Sequence, residues 1–260
     1  MAILRLNFRS RELRRDVPVN VVLPFDRGAT KPYPTLYLLH GLQNNCDAWP
    51  LNTRIERWAS DRGLAVVMPQ GENSFWVRVG EPSYPYGDFG AYVAQELVEV
   101  TRAEFALSHE REHTFIGGFS MGGYGALRNG LLHAETFSKI AVFSGAVHFF
   151  VEEPEELAAR GNVAGELSIF GDRERTRDSD LNPRWLAARA VERVAAGEVA
   201  SLPRVKFVVG TEDWLVRSNR RLADGLRELG FDVAYTEAPG DHSFDFVGPR
   251  LPEMLDWLVG

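Results

Sequence analysis

Residues 114–126 read TFIGGFSMGGYGA, in which Gly118, Ser120 and Gly122 satisfy the pattern G-x-S-x-G. An apolar stretch suited to a strand precedes the pattern, and an alanine-containing stretch suited to a helix follows it. A serine in that position stands on a sharp strand-to-helix turn. A side chain at Gly118 or Gly122 would collide with the neighbouring strand or helix, so glycine on both sides lets the hydroxyl project clear. The helix that follows sets its positive N-terminal end under negative charge developing on a substrate. Ser120 is therefore the expected nucleophile. The other uses of a Gly-rich turn are a plain connection or a phosphate cradle. Against the cradle, no Lys-Ser/Thr pair closes a P-loop and G-x-G-x-x-G spacing is absent.

A serine hydroxyl is a poor nucleophile at neutral pH, so an imidazole must take its proton and a carboxylate must hold that imidazole in the right tautomer. Where the serine stands on such an elbow, the partners follow in the order Ser, acid, His. Of the six histidines, His40, His109, His113 and His133 come too early or sit on strand ends and helix surfaces. His148 leaves no room for an acid. His242 lies in the polar loop APGDHSFDF after the last expected strand. The acid should follow the preceding strand, where VKFVVGTEDWL supplies Glu212 and Asp213. A helix cap is the competing role for an aspartate there. Asp241 and Asp245 are too close to His242 to orient its ring and are read as turn or surface residues.

Acyl transfer also needs two N–H donors for the tetrahedral oxyanion. Met121, the residue after the nucleophile, supplies one. In LLHGLQNNCDAW, His40-Gly41-Leu42 stands where an HGG-type loop is expected, so the Leu42 N–H is the second candidate. His40 is read as fixing that loop, and Cys46 as a bystander.

The elements that must carry these residues alternate strand and helix. Strands are expected at 19–23, 35–40, 64–68, 114–118, 139–144, 205–210 and 232–237, with helices over 54–61, 92–105 and 218–229 and another just after Ser120. The continuous apolar run 64–68 suits a parallel strand buried on both faces. The expected fold is a single α/β domain over residues 1–260, with a mostly parallel sheet and helices on both faces. Residues 148–203 break the rhythm with the acidic run Glu152–Glu156, a Gly161-Asn162 interruption and a charged segment. They read as an insertion, or partial lid, over one edge of the site.

Composition narrows the function classes. At 260 residues, with 45% hydrophobic and 25% charged side chains, the chain suits one well-buried domain. A net charge of -7 argues against binding nucleic acid, which requires a basic stripe. The arginines within 9–15 and 173–177 read as solvated surface. No apolar run approaches the roughly 20 residues of a membrane span, and no secretory signal precedes the first strand. The single Cys46 excludes an internal disulfide and fits a reducing compartment, the cytoplasm. H-E-x-x-H and clustered Cys/His ligands are lacking, so neither metal nor cofactor is expected.

Taken together, YLLHGLQNNCDAW, GGFSMGGYGAL, GTEDWL and GDHSFDF make the chain similar to the esterase D, or putative-esterase, family of α/β-hydrolases, and most so to its tributyrin-esterase-like branch. The resemblance spans most of the chain. It implies the triad Ser120, Asp213 and His242, choosing Asp213 over Glu212, and an oxyanion loop at Gly41 and Leu42. It also implies a small-molecule acyl ester as substrate, with a homo-oligomer as an option. Two stretches depart from the family pattern. Trp76-Val77-Arg78 lies in a loop, Ser74–Phe89, that often reads N-S-W-Y in relatives, and Gln43–Asn45 replaces a glycine-rich run common in thioesterase members. Gly41, Trp76 and Trp214 are the expected substrate-binding residues, and Phe149, Phe150 and Trp185 are more at home in the core.

The function expected is a serine carboxylesterase acting on acetyl to butyryl esters through an acyl-enzyme. The enzymatic alternatives are a thioesterase of the S-formylglutathione type, whose usual histidine is replaced by Tyr124, and an acyltransferase. A non-catalytic binding protein on the same fold is the remaining alternative; such proteins typically lack a triad member.

Overall fold

The computed structural model describes residues 2–25, 28–81, 84–160 and 164–260. Ten strands are described: β1 (Ala2–Arg9), β2 (Asp16–Leu23), β3 (Thr35–Leu39), β4 (Ala65–Pro69), β5 (Arg78–Glu81), β6 (Tyr84–Asp88), β7 (Thr114–Phe119), β8 (Lys139–Phe143), β9 (Arg204–Gly210) and β10 (Val233–Ala238). Helices α1 (Ala48–Asn52), α2 (Ile55–Ser60), α3 (Phe89–Ala91), α4 (Leu97–Glu104) and α5 (Met121–Leu132) lie in the first half, with a π-helical turn at Tyr92–Glu96 between α3 and α4. Between β8 and β9 come α6 (His148–Val151), α7 (Pro154–Ala159), α8 (Ala164–Phe170), α9 (Arg173–Thr176) and α10 (Pro183–Ala195). The chain closes with α11 (Val216–Glu228), α12 (Phe244–Val247) and α13 (Leu251–Val259). The Gly161-Asn162 interruption lies outside the described residues.

Eight strands form one sheet in the order β1-β2-β4-β3-β7-β8-β9-β10, and β5 and β6 form a separate hairpin. From β4 to β10 every pairing is parallel, whereas β1 and β2 add an antiparallel edge. Strands β3, β4 and β7 are buried at every residue, as strands covered on both faces must be. Alternate side chains of one strand serve opposite faces: Tyr37 and Leu39 join one core, Leu36 and Leu38 the other. The α/β architecture expected from the sequence is observed. The edge strand β1 is an addition to the expected set, although Leu4, Leu6 and Phe8 alternate with Arg5, Asn7 and Arg9 along it.

This strand order decides where a site can form. After β3 the chain crosses to β4 on one side, and after β7 to β8 on the other. The loops leaving the carboxyl ends of β3 and β7 therefore diverge and open a crevice between them, the usual position of a site in an α/β sheet.

Candidate active site

Ser120 occupies that crevice at the end of β7. Its backbone has φ 58° and ψ -117°, a conformation that costs an L-residue about 1–2 kcal/mol and that persists only where the surroundings enforce it. The enforcement comes from close backbone packing. The Ser120 N–H donates to the Phe143 carbonyl at 3.0 Å, and the Ser120 carbonyl accepts from Tyr124 and Ala146 at 3.1 and 3.0 Å. A β-carbon at Gly118 would stand 2.4 Å from the Gly122 backbone, and one at Gly122 would stand 2.3 Å from the Leu39 carbonyl oxygen. The glycines of the motif are thus required by contact, as the sequence pattern implies.

His242 and Asp213 reach Ser120 from neighbouring strand ends. His242 follows β10 and Asp213 follows β9; the His242 Nε2 lies 2.8 Å from the Ser120 Oγ, and its Nδ1 lies 2.8 Å from the Asp213 Oδ2. An ionised carboxylate only accepts, so Nδ1 carries the proton and the Nε2 lone pair receives the serine O–H. The imidazole is held between the Phe119 ring at 4.7 Å and the Trp214 ring at 5.6 Å. The Asp213 side chain is fully buried. Burial pushes its carboxyl up, but hydrogen bonds and the charge of His242 outweigh it, and the group is held below the ordinary aspartate value. Glu212, the competing acid, turns away: it is exposed and accepts from the Gly240 N–H.

The loop after β3 lies directly against the serine, since a β-carbon at Gly41 would be 3.4 Å from the Ser120 β-carbon. His40 holds that loop. The Gly71 N–H donates to its Nε2 at 2.9 Å, so Nδ1 carries the hydrogen and donates to the Gly41 carbonyl at 2.8 Å. Burial lowers the His40 pKa to about 4, and the ring stays neutral and locked in this tautomer at physiological pH. Among the described residues, the Leu42 N–H meets no hydrogen-bond acceptor within the chain. Met121 opens α5, where the N–H has no intrahelical partner. Cys46 is buried, and burial with the nearby Asp47 charge pushes its thiol pKa up, against a nucleophilic role.

The expected substrate residues divide. Trp214 is half-exposed beside His242, with the Arg160 guanidinium over its ring at 5.1 Å and the His148 ring edge-on at 5.1 Å. Trp76 needs correction: it is fully buried and touches no solvent. Its indole fills the space left by Gly71 and Gly125, where β-carbons would stand 2.2 and 2.5 Å from it, and donates to the His40 carbonyl at 3.3 Å. Trp76 therefore supports the loop from beneath. Phe149 and Phe150 are buried with Tyr124 and Phe170 in an aromatic cluster, where the Phe150 and Tyr124 rings stack at 5.5 Å. Sequence reasoning missed Arg160 and Ser144 as neighbours of the site. Neither lies in a motif, and long-range packing alone brings them there.

Among the described residues no cluster of His, Cys, Asp and Glu could hold a metal ion, and no helix is long and apolar enough to cross a membrane.

Comparison with known proteins shows the family. Residues 10–258 match the family model described as "putative esterase". The chain is 34% identical to an acetyl esterase of Caldicellulosiruptor saccharolyticus, over 99% of this chain and 98% of that protein. Among solved structures it resembles the fluorophosphonate-binding serine hydrolase FphF of Staphylococcus aureus, at 26% identity and a TM-score of 0.82, covering 100% of this chain and 98% of that one. The S-formylglutathione hydrolase FrmB of Staphylococcus aureus matches with the same identity and TM-score, covering 100% and 99%.

Proposed function

Because the chain belongs to the putative-esterase family and is a serine carboxylic-ester hydrolase, we propose that it cleaves short-chain acyl esters, acetyl to butyryl, through an acyl-enzyme on Ser120. The observation that carries this reading is the unbroken hydrogen-bonded line Asp213–His242–Ser120, 2.8 Å at each step. In the first half-reaction the Ser120 oxygen attacks the ester carbonyl carbon and its proton passes to His242 Nε2. The carbonyl oxygen becomes an oxyanion received by the Leu42 and Met121 N–H groups, each worth roughly 3 kcal/mol to the barrier in such sites. Collapse expels the alcohol, which takes the proton from His242. Water, deprotonated by the same imidazole, then attacks the acyl-enzyme; collapse breaks the bond to the Ser120 oxygen, which takes the proton back from His242, and the acid leaves. Asp213 stabilises the imidazolium in both halves without itself taking the proton.

A small acyl group is favoured by the aromatic cluster. Tyr124 lies one helical turn beyond the nucleophile, and its contacts with Phe150 and Phe170 fill the volume beside the first turn of α5. Gly41 leaves room for the scissile carbonyl, and Trp214 is a wall for the leaving alcohol. The His148 ring and the Arg160 guanidinium lie against Trp214 on that edge. The buried free Cys46 fits placement in the cytoplasm.

The S-formylglutathione reading gains support from the likeness to FrmB. Against it, Tyr124 stands where that type usually carries a histidine, and it is fully buried with its hydroxyl donating to the Leu181 carbonyl at 2.7 Å.

The test is hydrolysis of p-nitrophenyl esters from acetate to palmitate, with S-formylglutathione as the thioester comparison. Activity is expected to peak at C2 to C4 and to fall by about 10⁴-fold or more in Ser120→Ala. A folded wild type inert on every ester would refute the proposal, and faster turnover of S-formylglutathione would replace it with the thioesterase reading.

A further inference from the structure

Ser144 has a set of properties that the fold alone does not call for. It follows β8 with φ 45°, in the left-handed region that glycine adopts freely and that an L-residue occupies only under constraint. It is completely buried, and among the described residues its hydroxyl lacks a partner of ordinary hydrogen-bond geometry. A serine is thus retained where glycine would be easier and where a hydroxyl is costly to hide.

Its position gives the reason. The Ser144 N–H donates to the Val208 carbonyl at 3.1 Å, and the Phe143 carbonyl accepts from the Ser120 N–H at 3.0 Å. Residues 143 and 144 are therefore clamped between the nucleophile and β9, the strand that ends in the Asp213 loop. The Asp213 Oδ1 accepts from the Leu215 N–H at 2.8 Å, and Oδ2 accepts from His242. A carboxylate has about four acceptor sites, so capacity remains. We propose that Ser144 is a positioning residue, whose hydroxyl donates to the Asp213 carboxylate and through it sets the orientation and basicity of His242. This rests on the triad assigned above. The Asp213 carboxyl is held below its ordinary value despite burial, chiefly by His242 and the Leu215 N–H, with the Ser144 side chain acting in the same direction.

The other charged groups nearby are engaged elsewhere. Glu212 accepts from Gly240 and Thr211. Asp241 accepts from Ser243, and Glu237 holds Arg220 and Tyr235. His148 and Arg160 contact the Trp214 ring. His242 is the titratable partner that faces Asp213. Losing the Ser144 donor leaves more of the Asp213 charge to His242, which favours imidazolium and moves the acid limb of activity to higher pH.

The experiment compares wild type with Ser144→Gly, Ser144→Ala and Ser144→Cys. It measures the melting temperature, kcat and KM on p-nitrophenyl acetate, and the rate of Ser120 phosphonylation by a fluorophosphonate probe across pH. Ser144→Gly is expected to melt no lower than wild type, because it relieves the left-handed strain. Both Ser144→Gly and Ser144→Ala should react about tenfold more slowly with KM unchanged, and their acid limb should rise by about half a pH unit. Ser144→Cys should fall between. A folded Ser144→Gly that reacts at the wild-type rate with an unshifted limb overturns the proposal. If wild type takes the probe but ignores p-nitrophenyl acetate, the short-chain reading fails and the phosphonylation rates still decide the role of Ser144. A wild type that does not take the probe overturns both.

Discussion

Around Ser120 the chain tolerates displacements of tenths of an ångström, because backbone meets backbone at Gly118, Gly122 and Gly41. Residues 148–160 and 164–176, of which His148 and Arg160 reach Trp214 beside His242, are held by a different set of contacts. Their Phe149, Phe150 and Phe170 rings sink into the core, while the polar side is held by Arg160 on Glu152 and on the Trp214 carbonyl, and by Arg173 on the Glu152 carbonyl. The difference teaches which part does chemistry and which part adapts. An elbow built from packed backbone cannot shift without losing the 2.8 Å line to His242. A segment held by side-chain charge is expected to be rebuilt more readily, without moving Ser120.

The comparison breaks most visibly at Gly122. Gly122→Ala drives a β-carbon into the Leu39 and His40 carbonyls, and it is expected to cost about 3 kcal/mol by denaturant unfolding. Activity should fall more than about 100-fold, because the nucleophile leaves its line. Gly225→Ala is the control: its β-carbon meets nothing within 4 Å on α11, so the change should add about 0.5–1 kcal/mol and leave turnover alone. A gain at Gly122 equal to the gain at Gly225 would show that helix propensity, rather than contact, governs the elbow.

Arg160→Ala sharpens the other half. Glu152 is buried, and removing its partner strands a carboxylate, at an expected cost of about 3 kcal/mol. The Trp214 ring also loses its cation, so KM should rise by about three- to tenfold while kcat changes less than about twofold. A collapse of kcat would mean that this segment belongs to the catalytic frame.

A smaller effect is expected where α10 is anchored. Glu135 bridges Arg193 at 2.9 Å and His133 at 3.3 Å. Burial pushes its carboxyl up, but these partners and a backbone donor prevail and bring its pKa down from 4.5 to about 2. Because the folded value is depressed, the bridge stabilises fully above the unfolded value of 4.5 and fades as pH falls toward 2. The melting temperature of Glu135→Gln should therefore lie below that of wild type near neutrality and converge with it between pH 4.5 and 2. A constant difference across that window would assign the stabilisation to packing.

Legibility in the sequence followed the range of the interactions. The strand at 114–119, the helix after Ser120 and the strands near 64–69 and 204–210 are local patterns, and their apolar runs end within a residue or two of the observed bounds. The edge strand β1 is not legible as a strand although its alternation is present, because a short alternating run shares its composition with an exposed arm. Trp76 reads as a binding residue for a related reason: an aromatic in a polar loop looks exposed, and only the close approach of Gly71 and Gly125 makes room for its ring beneath the loop.

The sequence by itself determined the elbow, with its obligatory small residues, and the order serine, acid, histidine, because each depends on residue type and on position along the chain. Family resemblance chose Asp213 over Glu212, and in the tertiary structure Asp213 is the buried carboxylate, 2.8 Å from the His242 ring. Only the fold decided that Trp76 lies beneath the loop, that Arg160 and His148 meet at Trp214, and that Ser144 is strained beside the acid. Those relations join residues far apart in sequence, and no local periodicity encodes them.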